Sequence, residues 1–540
     1  MAIPNVKVNI TESSLANTGT YIPFIPAVLL HTKTGPVGEI TRVNSEAEFV
    51  AIFGQSDITI PAAFTFQKYL KLYQYAYVTR IIGTAAHIGE GKMTFSYDDE
   101  GQTTEVDLLK IESKYKTDLY NGATVKLVYD STTSKMYLDL SEIYGKTMIT
   151  AKETIDNIST LKAAEYDETT GELVGGLEYI LNKLVTSANL ISNSPITITN
   201  LFVEKTDTDQ VPAPTDYNNG GIKAELELGD SGNDANTKAT IATVKGLIDL
   251  YDYTSTLIDV MVIPEYRTAE VVNYAVARGK ENYFRIIAQA TGEDTTSTAN
   301  TVITNYKNSV KDYVQDERGF LEIYANDVYY NNYLDNDNNP IPCPISIAIL
   351  NAYGASSMQN SWCSIAGVNR GLLTQVSGLR YKLTKAEMDE LYDNTPAINS
   401  ILFISGTGYV VWGNKTTANP EEVALFDRVN VARLVNYLNR ELLNSSYKYL
   451  FEPITLTLFT NFKQTLRSIC QAIKDDEGID DYVIICDSSN NTDETIAKNE
   501  LHARVQVKPT EALEYIIIDL DATDTITLGV STSNETEEVW

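Results

Sequence analysis

Val6, Val8 and Ile10 alternate with Lys7 and Asn9 at the start of the chain, the period-two pattern of a half-buried strand. A polar run, TESSLANTGT, separates this segment from everything downstream. At the far end, EYIIIDL from Glu514 is a short apolar run that holds Ile516 and Ile518. Ile526, Leu528 and Val530 then alternate with threonines and Gly529. Both ends are predicted to be strands. A strand at the end of a polar linker needs an edge to pair with, because its N–H and C=O groups cannot be left bare in an interior. Two options are open. The ends can fold back on their own chain, with Glu514 to Leu520 against Thr525 to Val530 as one hairpin, or they can add to the sheet edge of a neighbouring copy.

Between the ends the pattern changes three times. From about 91 to 200 the runs GKMTFSYDDEG, GATVKLVYD and SKMYLDLSEIYGKT are short, alternating and bounded by Gly, Asp and Ser, which predicts a mainly β insertion. A polar stretch, EKTDTDQVPAPTDYNNGG, reads as a loop before periodic structure resumes. From Leu257 the order is strand LIDVMVIP, helix from about Thr268 to Arg278, strand YFRIIAQA, helix through Val314 and strand FLEIYAND. Strands and helices alternating in this way predict a layered α/β unit with a largely parallel sheet.

The last third continues in the same style. Asn419, Pro420, Glu421 and Glu422 suit a helix N-terminus, and Val431, Leu434, Val435, Leu438 and Leu442 follow at helical spacing. Arg433 and Arg440 lie two turns apart and are predicted to project together from another face. The fold class is therefore multidomain α/β: layered middle and C-terminal units, a mainly β insertion and extended terminal arms. The expected division is an arm over 1–22, a middle unit over 23–90 plus 201–344, the insertion over 91–200, a C-terminal unit over 345–513 and a second arm over 514–540.

Composition narrows the function. Lys and Arg total 42 against 72 Asp and Glu, a formal charge of −30, which repels nucleic-acid phosphates and anionic membrane surfaces where no basic patch is concentrated. The four cysteines are scattered without metal-ligand spacing, so buried free thiols are expected. The early apolar run YIPFIPAVLL contains two prolines and lacks a cationic lead, unlike a secretory signal. No run approaches the length of a membrane span.

Four features bear on chemistry. SGTGYVVWGNKT, from Ser405, resembles a phosphate loop with Asn414 interrupting the glycine–lysine step. Its glycines bracket two valines and two aromatics, which favours an extended strand with glycine turns. DNDNNPIPCPIS, from Asp335, starts like a calcium loop, but Pro340 stands where the turn glycine belongs and Ser346 where the bidentate glutamate belongs. His31, His87 and His502 are far apart in sequence. Asp487 follows an apolar strand, a position that can be catalytic, while Asn491 and Glu494 fit a helix-capping pair. None requires a catalytic residue, a cofactor or a metal.

Five segments carry a resemblance. GPVGEITRVNSEAEFVAIFG from Gly35, INSILFISGTGYVVWGNKT from Ile398, FDRVNVARLVNYLNREL from Phe426, YLFEPI from Tyr449 and VQVKPTEALEYIIIDL from Val505 together resemble the tail sheath proteins of contractile-tailed bacteriophages. SWCSIAGVNRGLL from Ser361 is a looser match. The β insertion shows no such likeness. The resemblance implies a structural subunit of the virion, assembled in the host cytoplasm, that stacks as hexameric rings around an inner tail tube and contracts to drive the tube through the host envelope. Its implied partners are other copies of itself, the tube protein, and baseplate and terminator proteins, without nucleic acid or membrane insertion. Val6, Val8, Ile10, Ile516, Ile518, Ile526, Leu528 and Val530 become the expected intersubunit strands, and Arg433 and Arg440 the expected tube-facing residues. The rival readings are a non-phage injection sheath, a surface adhesin or shell protein, and an α/β nucleotide enzyme.

Overall fold

The computed structural model describes residues 24–512 apart from 74, 145–147, 151–159, 192–193, 204–209, 214–215, 218–221, 231–237, 293–298, 358–359, 361 and 422–423. At its centre is a six-stranded sheet in the order Leu321–Tyr324, Arg285–Gln289, Val260–Val262, Pro26–His31, Ala76–Ile81, Ile40–Val43. All neighbours run parallel except Ile40–Val43, which is antiparallel to Ala76–Ile81. This is the layered α/β arrangement expected of the alternating pattern. Because successive strand residues point to opposite faces, Val28, Leu30, Val260, Val262 and Ile287 enter one core. Ala27, Leu29, Met261, Ile286 and Ala288 enter the other. The first core is covered by helices Pro61–Tyr69 and Ile345–Ser357, the second by Ile241–Ile248, Ala269–Asn282 and Ala299–Val310.

The insertion has a core of its own. A three-stranded sheet of Ile196–Asn200, Gln102–Ser113 and Glu90–Asp99 and a four-stranded sheet of Lys223–Glu225, Thr124–Asp130, Lys135–Asp139 and Met148–Thr150 enclose Met93, Ile111, Leu127 and Leu138 together with helix Gly176–Asn189. Tyr217 of the stretch read as a polar loop packs in this core, as do Phe202, Ile222, Ala224 and Leu226 on either side of it, so the stretch is fastened to the insertion. The insertion begins and ends at one place, where His87 bridges Asp230 and Glu90 bridges Glu227.

The outer edge of Leu321–Tyr324 is covered by segments from the last third. Asn399 N donates to Ile323 O at 2.8 Å, Ala325 N donates to Asn399 O at 2.9 Å and Thr417 N donates to Leu321 O at 2.9 Å. The Asn399 amide also holds Lys415, donating to its carbonyl at 2.7 Å and accepting from its N–H at 2.9 Å. Gly413 runs against this asparagine, where an added Cβ would sit 2.5 Å from its Oδ1 and 2.8 Å from its Cβ. Gly413→Ala should therefore push Asn399 off the sheet edge and destabilise the chain by about 1–3 kcal/mol, read as a lowered midpoint in urea unfolding.

Candidate assembly site

Residues 429–509 build a small layered unit on the side of the main sheet. Helix Val429–Ser446 packs against helix Leu456–Asp475, and the second helix lies on an antiparallel pair of strands, Ile479–Ile485 and Arg504–Pro509. Leu434, Tyr437, Leu438 and Leu442 of the first helix meet Phe459, Phe462, Leu466 and Ile473 of the second and Ile479 and Ile484 of the sheet. Tyr482 faces Val507 and Ile484 faces Val505 across the ladder. Among the described residues neither strand has a second ladder neighbour.

The first helix opens later than the sequence predicts. Its N-cap is Arg428, not Asn419. Asn419 Oδ1 instead accepts from Glu421 N at 3.1 Å in a tight turn. Tertiary bonds hold the intervening residues out of the helix: Thr416 N donates to Asp427 O at 2.8 Å and Val429 N to Asn414 O at 2.8 Å.

Arg433 and Arg440 do project from one side of this helix, but into the protein. They are 6% and 1% exposed, so neither offers its charge to an inner tube in this subunit. A second stripe, Asn430, Arg433, Asn436, Asn439 and Arg440, is buried as well as the apolar one, and it points at the main sheet and its loops. Arg433 donates to Cys363 O at 2.6 Å and to the Ser356 and Ser357 hydroxyls at 3.2 Å each, and its guanidinium lies 4.5 Å from the Tyr353 ring centroid. Burial holds its pKa below the ordinary arginine value. Asn436 Nδ2 donates to Tyr283 O at 2.8 Å. Arg440 pairs with the Asp259 carboxylate.

The partners of these arginines are missed by the sequence reading, though a signal is present. Asp259, Arg285 and Glu322 are lone charges beside or within the apolar runs that form three adjacent parallel strands. Arg285 Nη1 donates to Tyr353 OH at 3.1 Å and lies 3.6 Å from Glu322 Oε1. Tyr324 OH donates to Glu322 Oε2 at 2.8 Å, and Tyr353 OH donates to the other carboxylate oxygen. Val6, Val8, Ile10, Ile516, Ile518, Ile526, Leu528 and Val530 lie outside the described residues.

The stretches considered for chemistry have structural roles. Ile401–Ile404 and Gly408–Val411 form a hairpin whose turn contains Gly406 and Gly408 at φ +83° and +118°. Lys415 Nζ donates elsewhere, to Tyr392 O at 2.9 Å. The Asp335 carboxylate accepts from the Asp337 and Asn339 amides at 2.9 and 2.8 Å, so its own loop occupies its oxygens. Asp487 Oδ1 accepts from Ser489 Oγ at 2.6 Å. Asn491 does not cap the next helix, whose N-cap is Thr492. Its amide instead ties the loop to His502, accepting from the His502 N–H at 2.6 Å and donating to its carbonyl at 2.8 Å. Among the described residues no cluster of His, Cys, Asp and Glu could hold a metal ion.

Open α/β sheets bind ligands beyond the C-terminal ends of their strands. One cavity of the described residues lies near those ends. The cavity lined by Ile263, Tyr266, Arg267, Gln289 and Ser346 measures about 10 Å³, about the room one water needs. Gln289 donates to Asp327 at 2.8 Å, and Ser346 Oγ donates to Gln289 Oε1 at 2.9 Å. Beside it, Glu265 accepts from His31 N at 3.2 Å, and burial pushes its pKa up to about 7.

That shift has a defined sign. A carboxyl protonated more readily in the folded chain contributes stability that is present below its ordinary pKa of 4.5 and is lost as pH rises through about 7. Glu265→Gln keeps an acceptor for the His31 amide without the charge. It should match the parent near pH 4.5 and be more stable by about 2 kcal/mol at pH 8, measured as melting temperature at the two pH values.

Two kinds of sequence comparison point to tail sheath proteins, and solved structures share the fold. Residues 421–523 match the family described as phage tail sheath C-terminal domain. Over 196 residues the chain is 33% identical to the tail sheath protein of Vibrio phage KVP40, covering 36% of this chain and 28% of that protein. It is 31% identical over 227 residues to the tail sheath protein of Enterobacteria phage T4, covering 41% and 34% respectively. The chain thus matches about a third of the length of these curated relatives. The fold is similar to a sheath tail protein from Listeria innocua, with TM-score 0.53, 12% identity and coverage of 87% and 90%. It is also similar to the sheath of an extracellular contractile injection system in its contracted state, with TM-score 0.52, 13% identity and coverage of 97% and 98%. Residues 421–523 are therefore similar to the phage tail sheath C-terminal domain, and the chain is similar in sequence to the tail sheath proteins of phages.

Proposed function

We propose that this chain is the structural subunit of a contractile phage tail sheath. It stacks as hexameric rings around an inner tail tube, between a baseplate and a terminator, and its collective contraction drives the tube through the host envelope. The observation that carries the reading is the two-stranded sheet of Ile479–Ile485 and Arg504–Pro509 within the segment matched to the sheath domain. The unpaired N–H and C=O groups of an edge strand recruit further strands. The alternating residues Val6, Val8, Ile10, Ile526, Leu528 and Val530 and the run holding Ile516 and Ile518 have the pattern such an edge accepts. Strand addition through polar linkers tethers neighbours while they rotate as rigid bodies from one packing to another. The energy for contraction then resides in the assembled, extended sleeve and is released as new side contacts form.

No enzymatic activity is indicated by the sheath relatives. A sheath of a non-phage injection system is the second reading, supported by fold similarity over 97% of the chain, while the sequence relatives favour a phage tail.

Deleting residues 1–12 should leave a monomer with unchanged far-UV circular dichroism that no longer polymerises, whereas the full chain should form tubes of uniform bore in negative-stain microscopy. Tubes of unchanged length from the deleted chain would contradict linkage through this arm.

A further inference from the structure

We propose that Arg433 and Arg440 clamp the root of the N-terminal arm to the helix that shares one core with helix Leu456–Asp475 and the two-stranded sheet, so that tension entering a subunit by one linkage leaves it by the other. The inference rests on the sheath reading above and assigns these two arginines a role inside the subunit.

The described chain begins at Phe24, and its first two residues are held by partners of both arginines. Phe24 is buried, stacked on Tyr353 at 5.1 Å between ring centroids and tilted against Tyr73 at 5.9 Å. The same Tyr353 ring carries the Arg433 guanidinium. Ile25 and Asp259 exchange two bonds: Ile25 N donates to the Asp259 carboxylate at 2.7 Å, and Asp259 N donates to Ile25 O at 2.9 Å. That carboxylate is also the partner of Arg440. Two turns of one helix, about 10 Å apart along its axis, thus reach two consecutive residues at the point where the arm leaves the sheet. The other face of the helix packs on Leu456–Asp475 and the two-stranded sheet through Leu434, Leu438 and Leu442.

Among the described residues, a pull on a donated strand reaches Phe24 and Ile25 first. Pro26–His31 follows at once, in the middle of the parallel sheet. Without a tie between Ile25 and the helix, the main sheet and the small unit that accepts a neighbour's strand would share the load only through side contacts. Stability alone accounts poorly for the arrangement. A buried ion pair is often matched or bettered by apolar residues of the same volume, and Arg440 keeps Nε and Nη2 without a partner among the described residues. The pair fixes a position.

Hydrogen exchange read by mass spectrometry on the full chain tests this, with Arg440→Met, Arg440→Lys and Phe24→Ala beside the parent. Arg440→Met and Phe24→Ala should speed exchange of residues 24–31 about tenfold while residues 285–289 and 479–485 keep the parent rate. Arg440→Lys, which retains a cation for Asp259, should recover most of the protection. Tubes of Arg440→Met should form and dissociate at lower urea than parent tubes. Unchanged exchange at 24–31 in both variants, or acceleration spread evenly along the chain, would overturn the clamp alone. A parent chain that forms no ordered polymer would overturn the sheath reading and the tension role with it.

Discussion

Helix Val429–Ser446 must bury two faces of opposite character, and the organisation of the C-terminal half depends on that constraint. Its apolar face completes a core with the next helix and the small sheet. Its polar face reaches Asp259, the Cys363 carbonyl and the Tyr283 carbonyl at the margin of the main sheet. A buried polar group without a partner costs free energy on the order of 1–3 kcal/mol, so sliding the helix by one turn would strand several donors at once. An apolar seam would tolerate such slippage. The polar one sets a register between the unit that resembles the sheath domain and the α/β layer that holds Phe24 and Ile25.

The same constraint explains which parts of the fold were legible in the sequence. Val260–Val262, Arg285–Gln289 and Leu321–Tyr324 were readable because each is a short apolar run and helical spacing separates them. The insertion was readable from alternation, and its separate core follows from two sheets facing each other. The helix start at Val429 was not readable, because Asn419, Pro420, Glu421 and Glu422 have every local mark of an N-terminus. What overrides them is a set of bonds from Asn414 and Thr416 to residues near the true start. Local propensity lost to tertiary pairing.

The arginines were misplaced for a related reason. Period analysis assigns the face opposite an apolar stripe to solvent, and a helix enclosed on two sides defeats that rule. The compensating charge for Arg440 was visible as Asp259 beside an apolar strand, while Arg285 and Glu322 in the next two strands answer each other. A lone charge in a run destined for burial needs a partner elsewhere in the chain, and the two arginines of an otherwise amphipathic helix were available. The recipient sheet carries no comparable local mark, since an edge is free or paired according to what the rest of the assembly brings to it.

Strand addition between copies is the claim on which the functional account stands. A helical reconstruction of assembled tubes, with the backbone traced from Phe24 toward the first residue and from Ala512 toward the last, tests it most directly. The account predicts that at least one outer edge of Ile479–Ile485 or Arg504–Pro509 is hydrogen-bonded to a terminal segment of a different copy. Terminal segments folded back on their own chain, with both edges bare or paired within the same subunit, would contradict it.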